Sequence, residues 1–158
     1  MAEIIKQISV FLENKPGRLA QVVSGLAKEK LNISAITVAE HKDRSVLRLV
    51  TDDMKKTKRI LTTLNLPFVE DDVLLVTMRN QPGALANVCE QLAGEHINID
   101  YAYSSATSAN GKSLGIFKIS NLARGMKMLT DSHVGQRRNG FSKMNRKGRN
   151  TKSNQSEE

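Results

Sequence analysis

Apolar and polar residues alternate through Ile8, Val10 and Leu12, and again through Leu74, Val76 and Met78, the period-two pattern of a strand with one buried face. Each run is followed by Asn-x-Pro-Gly, at residues 14–17 and 80–83. The proline presets φ and the glycine permits a tight backbone path, so both strands must end there. The period then becomes helical. Leu19, Val22, Val23, Leu26 and Ala27 share one face in the first segment, and Leu85, Val88, Cys89, Leu92 and Ala93 in the second, so Cys89 takes the place of Val23 on a core face. Next, SAITVA and SVLRLV flank a polar stretch at residues 41–44, and IDYAYSSA and SLGIFKI are joined through residues 107–112. Both read as β-hairpins, the second with the strong turn signal Asn110-Gly111. A further helix is predicted in each half. Thr57, Ile60, Leu61 and Leu64 share a face behind an Asp52 or Asp53 cap, and Leu122, Met126 and Leu129 follow Asn121, with Gly125 lowering helix propensity.

The similarity of the two halves is quantitative. A 66-residue offset aligns residues 10–33 with 76–99 without a gap, and 12 of the 24 positions are identical. The chain therefore divides near Asp71 into units at 1–70 and 71–131, followed by a tail at 132–158. The order β, α, β, β, α, closed in the first unit by a short strand around residues 67–69, is the α+β, ferredoxin-like βαββαβ arrangement in tandem, an antiparallel sheet with helices on one face. About 65 residues per unit is marginal for independent stability. In the second unit the sequence after Leu129, TDSHVGQRRNG, offers only Val134 as an apolar strand residue. Its closing strand is therefore expected to be missing, which would leave one side of the strand at residues 74–78 open.

Charge changes this picture less than the totals suggest. The 158 residues carry a net +8, but residues 132–158 alone hold seven basic and two acidic side chains, or +5. The body is nearly balanced, and the Gly-, Asn- and Ser-rich tail has too few apolar residues to offset ordering and is expected to be disordered. Seven clustered cations suit salt-sensitive binding to nucleic acid or another anionic surface, but no base-reading motif accompanies them, and six aromatic side chains without Trp do not suit a stacking platform. A single cysteine excludes an internal disulfide and fits a reducing compartment. The N-terminal MAEIIKQISV lacks the pattern of a secretory signal, and no apolar run approaches the roughly 20 residues of a membrane span. A cytoplasmic protein without a membrane partner is expected.

Two Asn-x-Pro-Gly-x-Leu turns between a first strand and first helix, with Asn-Ile opening the next strand, resemble the ACT domain, in tandem from Ile4 to about Leu129. The resemblance implies a free-standing, non-catalytic regulatory protein that binds an amino acid at unit or subunit interfaces as a homodimer and acts on a metabolic enzyme. It also implies ligand contacts at Asn14, Gly17, Leu19 and Asn32, and at Asn80, Gly83, Leu85 and Asn98. Serine-sensing members carry a His two residues before the turn Asn; Leu12 and Met78 stand there, so a more apolar amino acid is favoured over serine.

Elementary chemistry agrees with a ligand role. A glycine at a helix N-terminus leaves backbone N–H groups facing outward at the positive end of the helix dipole, where a carboxylate fits. The amides of Asn14 and Asn32 both donate and accept, so together they suit a zwitterion. The same four Asn also suit local turn and strand-start bonding, which leaves a structural partner subunit without ligand as a further reading. His41, His96 and His133 lack metal-ligand spacing, Cys89 reads as core, and Tyr101 and Tyr103 share a strand face that could line a pocket or pack on a sheet. With no phosphate loop, paired carboxylates or nucleophile elbow, neither an enzyme nor a cofactor is expected.

Overall fold

A computed structural model describes residues 1–105 and 110–131. The tail at 132–158, with its expected disorder and anionic partners, lies outside the described residues. In chain order the elements are β1 (Ala2–Glu13), α1 (Arg18–Lys28), β2 (Ile33–His41), β3 (Arg44–Thr51), α2 (Met54–Thr63), β4 (Phe68–Arg79), α3 (Ala84–Gly94), β5 (Ile99–Ser104), β6 (Lys112–Ile119) and α4 (Leu122–Asp131). The expected caps are in place. The Asp53 carboxylate accepts from the Lys56 amide at 3.0 Å, and the Asn121 side chain accepts from the Arg124 amide at 3.0 Å.

All six strands form one antiparallel sheet of order β2-β3-β1-β4-β6-β5. Exchanging the two halves reverses this order onto itself, so the sheet has an internal two-fold axis. The register obeys it: Ala2 opposite Val76 maps by 66 residues onto Phe68 opposite Val10, and Lys6 opposite Asp72 maps onto itself. Lys6 and Asp72 form an ion pair of 2.8 Å on that axis.

The two-fold corrects the expectation of an open strand in the second half. No short closing strand stands apart at 67–69; β4 runs unbroken from Phe68 to Arg79, its start closing the first half and its remainder opening the second. The symmetric counterpart is the start of β1, where Ala2 to Ile4 lie opposite Val76 to Leu74. The Phe11 amide donates to the Pro67 carbonyl at 3.0 Å, and the Thr77 amide donates to the Met1 carbonyl at 2.9 Å. Each half is thus closed by an extension of the other half's first strand. Sequence reading looked for the second closing strand downstream, whereas the chain supplies it from its N-terminus.

Two cores lie between sheet and helices. One joins Ile8, Val10, Leu12, Leu47 and Leu49 to Val22, Leu26 and Leu61, and the other joins Leu74, Val76 and Phe117 to Val88, Leu92 and Leu129. Cys89 packs against the second core, as expected for a small apolar residue. Gly125, which lowers helix propensity, has a packing reason: a Cβ there would lie 2.5 Å from Cδ1 of buried Ile119.

A third cluster lies on the face away from the helices and joins Ala35, Val50, Val73, Leu75 and Ile116. It is buried because the sheet curls until its edge strands β2 and β5 touch. That curl creates the concave interior where the candidate site lies.

Candidate functional site

Gly17 and Gly83 each take φ of 85° and cap α1 and α3 without any side-chain hydrogen bond. This left-handed conformation favours glycine, so the turns keep it for backbone reasons. The turn residues face solvent, with Leu19 40% and Leu85 54% exposed. The Asn14 amide donates to the Asp43 carbonyl at 3.4 Å, and the Asn80 amide to the Gly111 carbonyl at 2.8 Å, so each turn leans on the tip of its own hairpin.

Asn32 lies elsewhere. Its amide donates to the Asp52 carboxylate at 3.1 Å, just beyond the far end of β3. Asn14 and Asn32 are therefore separated by the length of β3, roughly 25 Å at about 3.3 Å per residue. One zwitterion within a chain cannot reach both, which corrects the joint role expected for them. The two-fold separates Asn80 from Asn98 in the same way. It brings Asn32 to the end of the sheet that carries the Asn80 turn, and Asn98 to the end that carries the Asn14 turn.

At the Asn32 end, between the start of β2, the end of β5 and the start of β6, lies a cavity of about 540 Å³. Asn32, Ser34, Thr77, Ser104 and Lys112 supply amide, hydroxyl and ammonium groups to its wall, and Ala35, Ile36 and Leu114 supply apolar surface. Among the described residues no acidic side chain lines it, so its chemistry favours a ligand with a carboxylate and a modest apolar part. Of the eight residues singled out from sequence, Asn32 alone lines this cavity. Asn14, Gly17, Leu19, Asn80, Gly83, Leu85 and Asn98 do not, although the Asn80 turn contacts Gly111 beside lining residue Lys112. Thr77, Ser104 and Lys112 escaped sequence reading because nothing local marks them; they meet Asn32 only when the sheet curls.

At the opposite end and toward the two-fold axis, the protein's own side chains engage one another. The Asn98 side-chain Nδ2 donates to the Asp100 carboxylate at 2.8 Å. Gln7, fully buried on the concave face, donates to the Tyr101 hydroxyl at 2.7 Å and accepts from the Tyr103 hydroxyl at 2.8 Å. The Arg48 guanidinium lies 4.0 Å from the centre of the Tyr101 ring, a cation–π contact, and its Nε is buried without a hydrogen-bond partner. Burial, reinforced by Tyr101 and opposed by Arg48, pushes the Tyr103 hydroxyl above its ordinary range and keeps it a donor. Nearby, Lys118 pairs with Asp71 at 2.8 Å, and this hydrogen bond raises the lysine above its usual value. The two tyrosines thus pack on the sheet and hold Gln7.

His41 and His96 are exposed, and His133 lies outside the described residues. Among the described residues no group of three or more His, Cys, Asp or Glu could hold a metal, and no helix is long and apolar enough to cross a membrane.

Two βαββαβ units fused into one sheet, with glycine-capped helices and an inter-unit cavity, define a paired ferredoxin-like module. Residues 3–136 match the family described as an ACT domain pair. The solved structure of protein BT0572 from Bacteroides thetaiotaomicron is 36% identical, with 82% of this chain and 89% of that one covered and a TM-score of 0.75. The ligand-free regulatory subunit of aspartate kinase from Thermus thermophilus is 13% identical, with 84% and 96% covered and a TM-score of 0.62. Aspartokinase alpha and beta subunits are 20% identical, with 82% and 95% covered and a TM-score of 0.58; at such identities these last two show the shared fold. No curated protein matches. The chain belongs to the ACT domain pair family.

Proposed function

We propose that this protein is a non-catalytic regulatory module whose two units, 1–70 and 71–131, together bind an amino acid or a similarly small carboxylate and transmit occupancy to a metabolic enzyme in the cytoplasm. The cavity carries this reading, because its lining gathers an amide, four hydroxyl side chains and one ammonium from both units around apolar surface. A ligand there contacts β2 of the first unit and the β5–β6 end of the second, so it favours one relative packing of the two over another, which is what coupling requires. That proteins of the same fold are regulatory subunits of aspartate kinase supports a regulatory role. A homodimer accords with the exposed apolar side chains of Leu19, Ile36, Val38 and Leu85. The outward turns at Asn14–Gly17–Leu19 and Asn80–Gly83–Leu85 then serve subunit contacts, with any ligand they hold shared across that interface.

A thermal-shift screen of the common amino acids at millimolar concentration tests this. A ligand at 100 times its Kd stabilises the folded state by about 2.7 kcal/mol, so at least one amino acid should raise the melting temperature, and Asn32→Ala should remove the rise. If none raises it, the reading fails.

A further inference from the structure

The internal two-fold makes a cavity at one end of the sheet a statement about the other end. Applying the 66-residue offset, Asp100 stands where the cavity has Ser34, Tyr101 where it has Ala35, and Phe11 where it has Thr77. We propose that each chain holds one ligand rather than two, at the Asn32 end, and that Tyr101, Phe11 and Asp100 close the matching Asn98 end. This rests on the reading of the cavity given above, and it adds the number of sites and the residues that set it.

Volume is the first argument. Replacing Ala35 by its counterpart Tyr101 puts a phenol ring into the equivalent space, and that ring is anchored by the Gln7 hydrogen bond on its hydroxyl and the Arg48 guanidinium on its face. Phe11 in place of Thr77 adds a second ring. Charge is the second argument. The Asp100 carboxylate engages the Asn98 amide and would repel a carboxylate ligand, whereas Ser34 is uncharged, and among the described residues the Asn32 side-chain amide has no hydrogen-bond partner. Both ends keep the backbone bond that shapes the strand start: Asp52 accepts from the Asn32 amide at 3.1 Å and Ser120 from the Asn98 amide at 3.0 Å. The scaffold is thus retained at both ends, and the space is filled at one.

Isothermal titration of the full chain with each of the common amino acids in turn reads the number of sites. The expected result is one site per chain, weakened about tenfold or more by Ser34→Asp, which transplants the Asp100 device to the open end. Asn32→Ala, at an exposed residue, should weaken binding similarly and serves if Ser34→Asp does not fold; Tyr101→Phe, which keeps the ring, should leave the count at one. Two sites per chain overturns this inference and leaves the functional reading standing, whereas affinity that survives both Ser34→Asp and Asn32→Ala overturns this inference together with the assignment of the ligand to this cavity. Absence of binding to wild type by every amino acid overturns the functional reading, and this inference with it.

Discussion

The two ends of the sheet have the same strand register, the same glycine-capped helices and the same Asn before the second strand, yet one holds a cavity where the other carries Tyr101, Phe11 and Asp100 at the counterpart positions. Their difference lies in a few concave-face positions, Ala35 against Tyr101 and Thr77 against Phe11 foremost. A duplicated fold can therefore keep its backbone design in both copies while its chemistry diverges. The repeated Asn-x-Pro-Gly turns report the shared scaffold, since Gly17 and Gly83 are set by backbone conformation, whereas several residues lining the cavity, Ala35 and Thr77 among them, are not kept by the repeat.

The largest expected effect tests whether the two halves are one cooperative unit. Leu49 and Phe117 occupy two-fold-related core positions, opposite Ile8 and Leu74. Leu49→Ala should cost about 2–5 kcal/mol and Phe117→Ala about 3–5 kcal/mol. In urea unfolding, each should lower a single transition of the whole protein, because β1 and β4 belong to both halves. A second transition, with loss confined to one half, would break the comparison.

An intermediate effect is expected at the filled end. Gln7→Leu leaves the Tyr101 and Tyr103 hydroxyls without their partner in a buried setting and should cost about 2–3 kcal/mol. Adding Tyr101→Phe and Tyr103→Phe should recover part of that loss, because the unpaired hydroxyls are then gone. Equal stability of wild type and Gln7→Leu would mean that the bonded set does not hold this end closed.

The smallest difference is expected in amide hydrogen exchange. The Phe11 and Thr77 amides make two-fold-related bonds, to Pro67 and Met1, and should show opening free energies within about 1 kcal/mol of each other. Much faster exchange at Thr77 would show that the N-terminal segment frays and that the second half is the less well closed one.

The duplication, the strand and helix order, an Asp52 or Asp53 cap and the Asn121 cap, and the core role of Cys89 were all legible in the sequence, whereas most of the loop before Asn110-Gly111 lies outside the described residues. Each depends on residues close along the chain, where period, turn chemistry and capping act. Asn32 was legible as a candidate, but its companions Thr77, Ser104 and Lys112 were not, and Gln7 was not singled out.

By itself, then, the sequence determined two ferredoxin-like units and the local form of their turns. The tertiary structure alone decided that the second unit is closed by the chain's first residues, that the edges of the sheet meet, and that a cavity lies at the Asn32 end. The physical reason is that hydrophobic periodicity assigns a residue to a face of its own element, whereas the partner of a strand edge and the curl of a sheet are settled by non-local contacts that no local pattern encodes.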